Sequence, residues 1–235
     1  MKELSLFKTT VRTMSTLPPN QDRIAKNLHS VLSAIKSASS LYQRPVRLVA
    51  VSKLFPPKDI EAAYNAGQRH FGENYIQELA GKASTLPDDI KWHFVGALQS
   101  NKCKALAEKV PNLWCVETVD SRKKAHLLEA GAVAGGRKEF LRVFIQVNTS
   151  REERMPLEHE GDAKMVIEKA GVSPEEVLDL VKFVRGECPH LEFAGLMTIG
   201  SVDASHSANE EQRNPDFEVY HGHRTGADLA EFDSC

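Results

Sequence analysis

Long apolar runs are missing from this 235-residue chain, and none of its stretches is long enough to span a bilayer as a helix. Charge of one sign is missing too. Thirty Lys and Arg stand against 32 Asp and Glu, for a net charge of -2. That balance gives no electrostatic reason to expect nucleic acid or an anionic membrane as a partner. Cysteine is scarce: Cys103, Cys115, Cys188 and Cys235, none paired as C-x-x-C. No His/Cys cluster has metal-ligand spacing, so no metal site is expected, and reduced, mostly buried thiols in an intracellular protein are. Two nucleotide fingerprints are also absent. No G-x-G-x-x-G follows the first apolar strand, and the G-x-x-x-x-G-K shape of a P-loop never occurs.

What is present is alternation. The run Leu48-Val49-Ala50-Val51-Ser52-Lys53 is apolar up to its end, as in a strand buried on both faces of a parallel sheet. Lys53 then stands at the carboxyl end of that strand, the end where parallel α/β folds bind ligands. The bland alternative is a solvated lysine at a strand end. Ahead of this strand, Ile24, Leu28, Val31, Leu32 and Ile35 share one helical face, with Asn20 or Asp22 as cap and a polar connector at 37–43. Strands are expected at about 47–52, 70–72, 91–96, 113–117, 140–147 and 193–197. Helices are expected between them: about 57–66, stopping at Gly67; one up to about Ser84; one capped by Ser100 or Asn101; one capped by Asp120 or Ser121 and ending near Gly131; and one opened by Ser173-Pro174-Glu175-Glu176. Six strand–helix repeats with short links mean an α/β fold with a parallel sheet, either doubly wound or a (β/α)8 barrel.

Polar groups cluster where these strands end: Ser52-Lys53, Gly72-Glu73-Asn74-Tyr75, Gly96 through Lys102, Gln146 through Ser150, and Met197 through Gly200. In a closed barrel all five would meet at one mouth. The segments LVAVSKLFPPKDIEAAYNAGQRHFGENYIQE (48–78), WHFVGALQSNK (92–102), VFIQVNTS (143–150) and GLMTIG (195–200) carry a family resemblance. In these the chain resembles the pyridoxal phosphate homeostasis proteins, or proline synthase co-transcribed homologues, over most of residues 20–217. The resemblance implies a (β/α)8 TIM-type barrel of the alanine racemase N-terminal type. It also implies pyridoxal 5'-phosphate held as a Schiff base on Lys53. A Schiff base needs an amine that loses its proton near neutral pH, and a partly desolvated strand end favours that neutral form.

The other strand-end residues are softer candidates for cofactor binding. Asn74 orients the cofactor or the lysine, or else caps the next helix. His93 lies inside its strand beside Trp92, where a core role is the bland reading. Ser100 is a cofactor contact or a helix cap; Met197 packs beside the pyridine ring or fills the barrel; Thr198 follows it. Asn148 and Thr149 bind or end their strand. Ala97 stands where relatives often carry histidine.

Two departures from the family pattern are expected to matter. Residues 151–172 read as an enlarged, charged surface loop. After Phe217 the family continues into phosphate-binding and arginine–glycine segments, whereas Glu218–Cys235 reads EVYHGHRTGADLAEFDSC. The barrel is therefore expected to lack its last strands, leaving the Lys53 strand as an edge and the cofactor weakly held. His221 and His223 in that tail make a weak metal motif. The domain reading is a flexible tail at 1–19, an incomplete barrel at 20–217 and a divergent tail at 218–235.

The function that the resemblance implies is vitamin B6 homeostasis without robust turnover: a monomer that holds the cofactor and hands it to pyridoxal-phosphate-dependent apoenzymes. The first alternative is a racemase or decarboxylase acting on amino acids. That chemistry needs a second acid–base residue facing the lysine, and Tyr75 and Tyr220 are the nearest tyrosines. The second alternative is a truncated isoform with impaired cofactor binding. The expected location is cytoplasmic, with a mitochondrial address open through the basic, Ser/Thr-containing residues 1–19.

Overall fold

The computed structural model describes residues 19–40, 45–150, 171–201 and 214–216. The expectations placed on residues 1–18, on 151–170 and on 217–235, with Tyr220, His221, His223 and Cys235, lie outside these. The chain divides into two compact units, Met1–Leu48 with Phe55–Gln68, and Val49–Leu54 with Arg69–Cys235.

The first unit holds α1 (Pro19–Ser40) and α2 (Pro57–Asn65). Helix α1 starts on a proline, which needs no intrahelical N–H partner there. Asn20 is therefore inside the first turn and does not cap it. Its amide donates to Asp59 Oδ1 of α2 at 2.8 Å and accepts from Arg23 at 2.8 Å. The helix runs into the expected connector as far as Ser40, where Ser39 and Ser40 donate their hydroxyls back to the carbonyls of Lys36 and Ser37; residues 41–43 lie outside the described residues. Leu28 is buried, but Val31 and Leu32 remain exposed. In α2, Ile60, Ala62 and Ala63 are buried and Tyr64 is only half-buried. Helix α2 ends just before Gly67, close to the expected stop.

Among the described residues, the second unit forms a six-stranded parallel sheet, β1 (Ala50–Val51), β2 (His70–Glu73), β3 (Lys91–Phe94), β4 (Leu113–Val119), β5 (Leu141–Gln146) and β6 (Leu191–Met197), paired in chain order. Helices α3 (Ile76–Ala83), α4 (Ser100–Lys109), α5 (Arg122–Ala134) and α6 (Val177–Glu187) connect them, with a 3-10 turn at Pro174–Glu176 before α6. Ser173 and Glu176 form the expected capping box at that turn. Ser121 caps α5 by accepting from Lys124 N–H. The core lies between sheet and helices, where Trp92, Phe94, Leu113, Val143, Ile145, Leu79, Leu106, Leu128 and Val184 are fully buried.

Three local expectations need correction. Strand β1 is short and, among the described residues, pairs on one side only, the edge position also expected for the Lys53 strand; Val51 is 52% exposed, so the run is not buried on both faces. Apolar content marks a strand but does not supply the neighbour that would cover it. Helix α5 passes through Gly131 and ends at Ala134. Gly131 serves close packing: a Cβ there would stand 2.5 Å from Lys104 O and 2.8 Å from Ala107 Cβ of α4. Helix α4 begins at Ser100, so Gln99 occupies the cap position and neither Ser100 nor Asn101 caps it.

Burial in this unit also fixes the thiols. It pushes Cys103 and Cys188 up to about 11, and Cys115 is fully buried. With little thiolate on Cys103 and Cys188 at neutral pH, and Cys115 closed off from solvent, iodoacetamide is expected to spare all three in the native chain and to modify them after denaturation.

Candidate cofactor site at the strand exits

In a parallel sheet every carboxyl end faces the same edge. The structure therefore brings Lys53, Asn74, Ser100, Met197 and Thr198 to one side, at the exits of β1, β2, β3 and β6. Lys53 leaves the end of β1 in a turn. Its side chain is exposed and makes no hydrogen bond or ion pair with any described residue. The next residue, Leu54, has φ of +65, a left-handed conformation that costs a non-glycine residue about 1 kcal/mol or more.

The backbone around that turn is held from beneath. Ser52 is buried and donates from its N–H to Gly72 O at 2.8 Å and from its hydroxyl to Glu73 Oε1 at 2.6 Å. Lys82 reaches up from α3 and donates to Ser52 O at 2.7 Å, to Glu73 Oε1 at 2.7 Å and to Glu78 Oε1 at 2.6 Å. Those three bonds use all three ammonium protons. Glu78 also accepts from Leu54 N–H at 2.7 Å. The Lys82 hydrogen bond, foremost, and the Leu54 N–H hold the Glu78 carboxyl below its ordinary value, with burial pulling the other way. Glu73 is fully buried, and its Oε2 has no hydrogen-bond partner.

Asn74 does not cap α3; the cap position is Tyr75, without a side-chain bond. The Asn74 backbone instead packs onto Gly96 after β3, where a Cβ would lie 2.2 Å from Asn74 O. Gly96→Ala is expected to force these exits apart and cost about 1–3 kcal/mol, read from chemical denaturation. Thr198 ties two exits together. Its hydroxyl donates to Val147 O at 3.0 Å, which leaves the 2.7 Å contact with the buried Thr149 to be donated by Thr149. Met197 is half-buried and pairs with Gln146.

His93 sits one residue short of the end of β3, buried, with both ring nitrogens engaged. Nδ1 lies 2.5 Å from Glu117 Oε1, and Nε2 lies 2.8 Å from His70 Nδ1. A carboxylate only accepts, so Nδ1 carries a proton and, in the neutral ring, Nε2 accepts from His70. Trp114 packs against both rings. This chain of hydrogen bonds leaves His93 no nitrogen for a ligand. The fold also brings one donor atom each of His93, Cys115 and Glu117 within 4.8 Å, a proximity that sequence spacing did not display. A cleft of about 490 Å³ opens at the opposite edge, where β3 to β5 begin, lined by Lys91, Trp114, Arg137 and Arg142 among others. It is not at the exits.

The alanine racemase N-terminal domain model matches residues 20–224. The chain belongs to the alanine racemase N-terminal domain family, in its pyridoxal phosphate homeostasis branch. A pyridoxal phosphate homeostasis protein of Schizosaccharomyces pombe is 46% identical over 194 residues, covering 82% of this chain and 73% of the relative. Among solved structures, a protein of unknown function from Bifidobacterium adolescentis superimposes with a TM-score of 0.71 at 29% identity, covering 92% of this chain and 82% of that one. PipY of Synechococcus elongatus, solved with pyridoxal phosphate bound, gives 0.60 at 29% identity, covering 89% and 82%. The α/β fold read from the sequence is thus that of the family, and six consecutive strands of it are described here.

The lysine of the AVSK strand end is Lys53. Sequence reasoning named it, and it grouped Asn74, Ser100, Met197 and Thr198 at the same edge. It overlooked Glu78 and Lys82, and gave Ser52 and Glu73, both inside the strand-end clusters it singled out, no role of their own. The one available signal was the i,i+4 spacing of Glu78 and Lys82, which on its own reads as a solvated helix pair.

Proposed function

We propose that the chain binds pyridoxal phosphate covalently through Lys53 and serves in vitamin B6 homeostasis, passing the cofactor to pyridoxal-phosphate-dependent apoenzymes. The carrying observation is the contrast between two lysines at the β1 exit. Lys53 is exposed and unpaired among the described residues, whereas Lys82 is buried and gives all three of its protons to protein acceptors. An amine that attacks a carbonyl must shed its proton and be reachable, and only Lys53 meets the second condition. The aldehyde of pyridoxal phosphate condenses reversibly with such an amine, releasing water, and the ring supplies an electron sink. The names of the relatives and the bound cofactor in PipY support the same reading.

The chain's own part is to present one amine on a fixed strand end. Thr149 and Thr198 close the β5 and β6 exits, and the Asn74–Gly96 contact fixes β2 against β3. The test is a titration of the purified chain with pyridoxal phosphate, followed by visible absorbance. A band that saturates near one equivalent, and that decays as an added apoenzyme regains activity, is the expected result. A band that rises without saturation, or a loaded chain that never releases cofactor to the apoenzyme, contradicts it.

A further inference from the structure

The side chains beneath the β1 exit form a clamp, and its position relative to Lys53 is specific. The peptide carbonyl just before Lys53 belongs to Ser52, and it accepts from the Lys82 ammonium at 2.7 Å. The peptide N–H just after Lys53 belongs to Leu54, and it donates to Glu78 at 2.7 Å. Lys82 and Glu78 are themselves joined at 2.6 Å, one helical turn apart on α3. One ion pair therefore grips the chain on both sides of a single residue. Glu73, fully buried, locks the other side of the ammonium and takes the Ser52 hydroxyl as well.

The grip is not redundant with the sheet. Strand β1 is two residues long, is paired on one side among the described residues and ends at Val51, so Lys53 stands beyond its ladder. The left-handed Leu54 is an unfavourable turn that needs something to hold it. The surplus charge is also informative. Lys82 is a cation taken almost fully out of water, and burying a charge costs far more than an apolar side chain of the same size would. A hydrocarbon would fill the space, but it could not hold the Ser52 carbonyl and the Glu78 carboxylate at once.

We propose that Lys82 is a positioning residue for Lys53: with Glu78 it fixes the two peptide groups that flank Lys53 and so sets the direction in which the Lys53 amine leaves the sheet. This rests on the reading of Lys53 as the cofactor lysine. Lys82 itself forms no bond to the cofactor. A small misplacement of a reacting group lowers rates by large factors, so releasing the clamp is expected to slow capture of pyridoxal phosphate on the order of tenfold to a hundredfold.

The test compares the full chain with two variants. The double variant Glu73→Gln with Lys82→Met removes the ammonium while leaving no fully buried charge unpaired, and the introduced amide oxygen still accepts from the Ser52 hydroxyl. Glu78→Ala releases the Leu54 side and takes one of three acceptors from Lys82, which keeps Glu73 and the Ser52 carbonyl; the position is 22% exposed. Three quantities are read: hydrogen exchange of the Leu54 amide without cofactor, the rate of capture, and circular dichroism in the visible band once capture is complete. In both variants the Leu54 amide is expected to exchange faster, capture to slow, and the band to keep its absorbance but lose optical activity, because the chromophore is no longer held in one orientation. Lys82→Arg is expected to recover part of the signal. Folded variants that capture the cofactor at the wild-type rate with wild-type dichroism overturn the inference. Absence of capture by the wild-type chain is a different result: it removes the cofactor reading, and the inference with it.

Discussion

Glu73→Ala is expected to destabilise the chain by about 3–5 kcal/mol, the size seen when one member of a buried ion pair is removed. The side chain of Glu73 is fully buried and that of Lys82 is only 6% exposed. Deleting the carboxylate leaves the ammonium buried with Glu78 and one carbonyl, and it strips the Ser52 hydroxyl of its best acceptor. The loss should appear as a lower urea midpoint at an unchanged slope, since the folded state buries the same surface. Glu73→Gln combined with Lys82→Met should lose much less, because no fully buried charge is left uncompensated; the Glu78 carboxylate loses its partner at a position 22% exposed. A loss below about 1 kcal/mol for Glu73→Ala, the scale of a surface pair, would show instead that water reaches this group.

The second large effect concerns chemistry. Lys53→Ala is expected to abolish the saturable adduct with pyridoxal phosphate while leaving the melting transition nearly unchanged. Stability is spared because the Lys53 side chain is exposed and bonds to nothing described. Chemistry is lost because the other lysine hydrogen-bonded to this exit, among the described residues, is Lys82. Lys82 is buried and fully hydrogen bonded, so it cannot substitute without breaking three contacts. Retention of a one-equivalent adduct in the variant would move the site to another lysine and would end the argument from exposure.

Much of the fold was legible because its signals are local. The apolar run before Lys53, the β-branched stretch at 141–146 and the Ser173–Glu176 box each settle their own element, and six strands were found where six were expected. Gly131 misled, since the residue type that stops helices is also the one that lets two of them touch. Val51 gave two opposed signals: its apolar run read as a strand covered on both faces, while the divergent tail read as leaving that strand an edge, and among the described residues it is an edge. At the site, the place of Lys53 at a strand exit was readable because its motif is contiguous. The Lys82 clamp was not, because it joins α3 to the end of β1 across 30 positions and depends on burial that a helical i,i+4 pair does not announce. The same holds for His70, His93 and Glu117, whose hydrogen bonds cross three strands.

The most direct measurement is a peptide map of the wild-type chain after borohydride reduction of its complex with pyridoxal phosphate. Reduction fixes the adduct as a secondary amine, so mass spectrometry reads the labelled lysine without ambiguity. Label on Lys53 alone, at close to one equivalent, is the expected result. Label on Lys82, or label spread over surface lysines in proportion to their exposure, would contradict the assignment of Lys53 as the cofactor lysine.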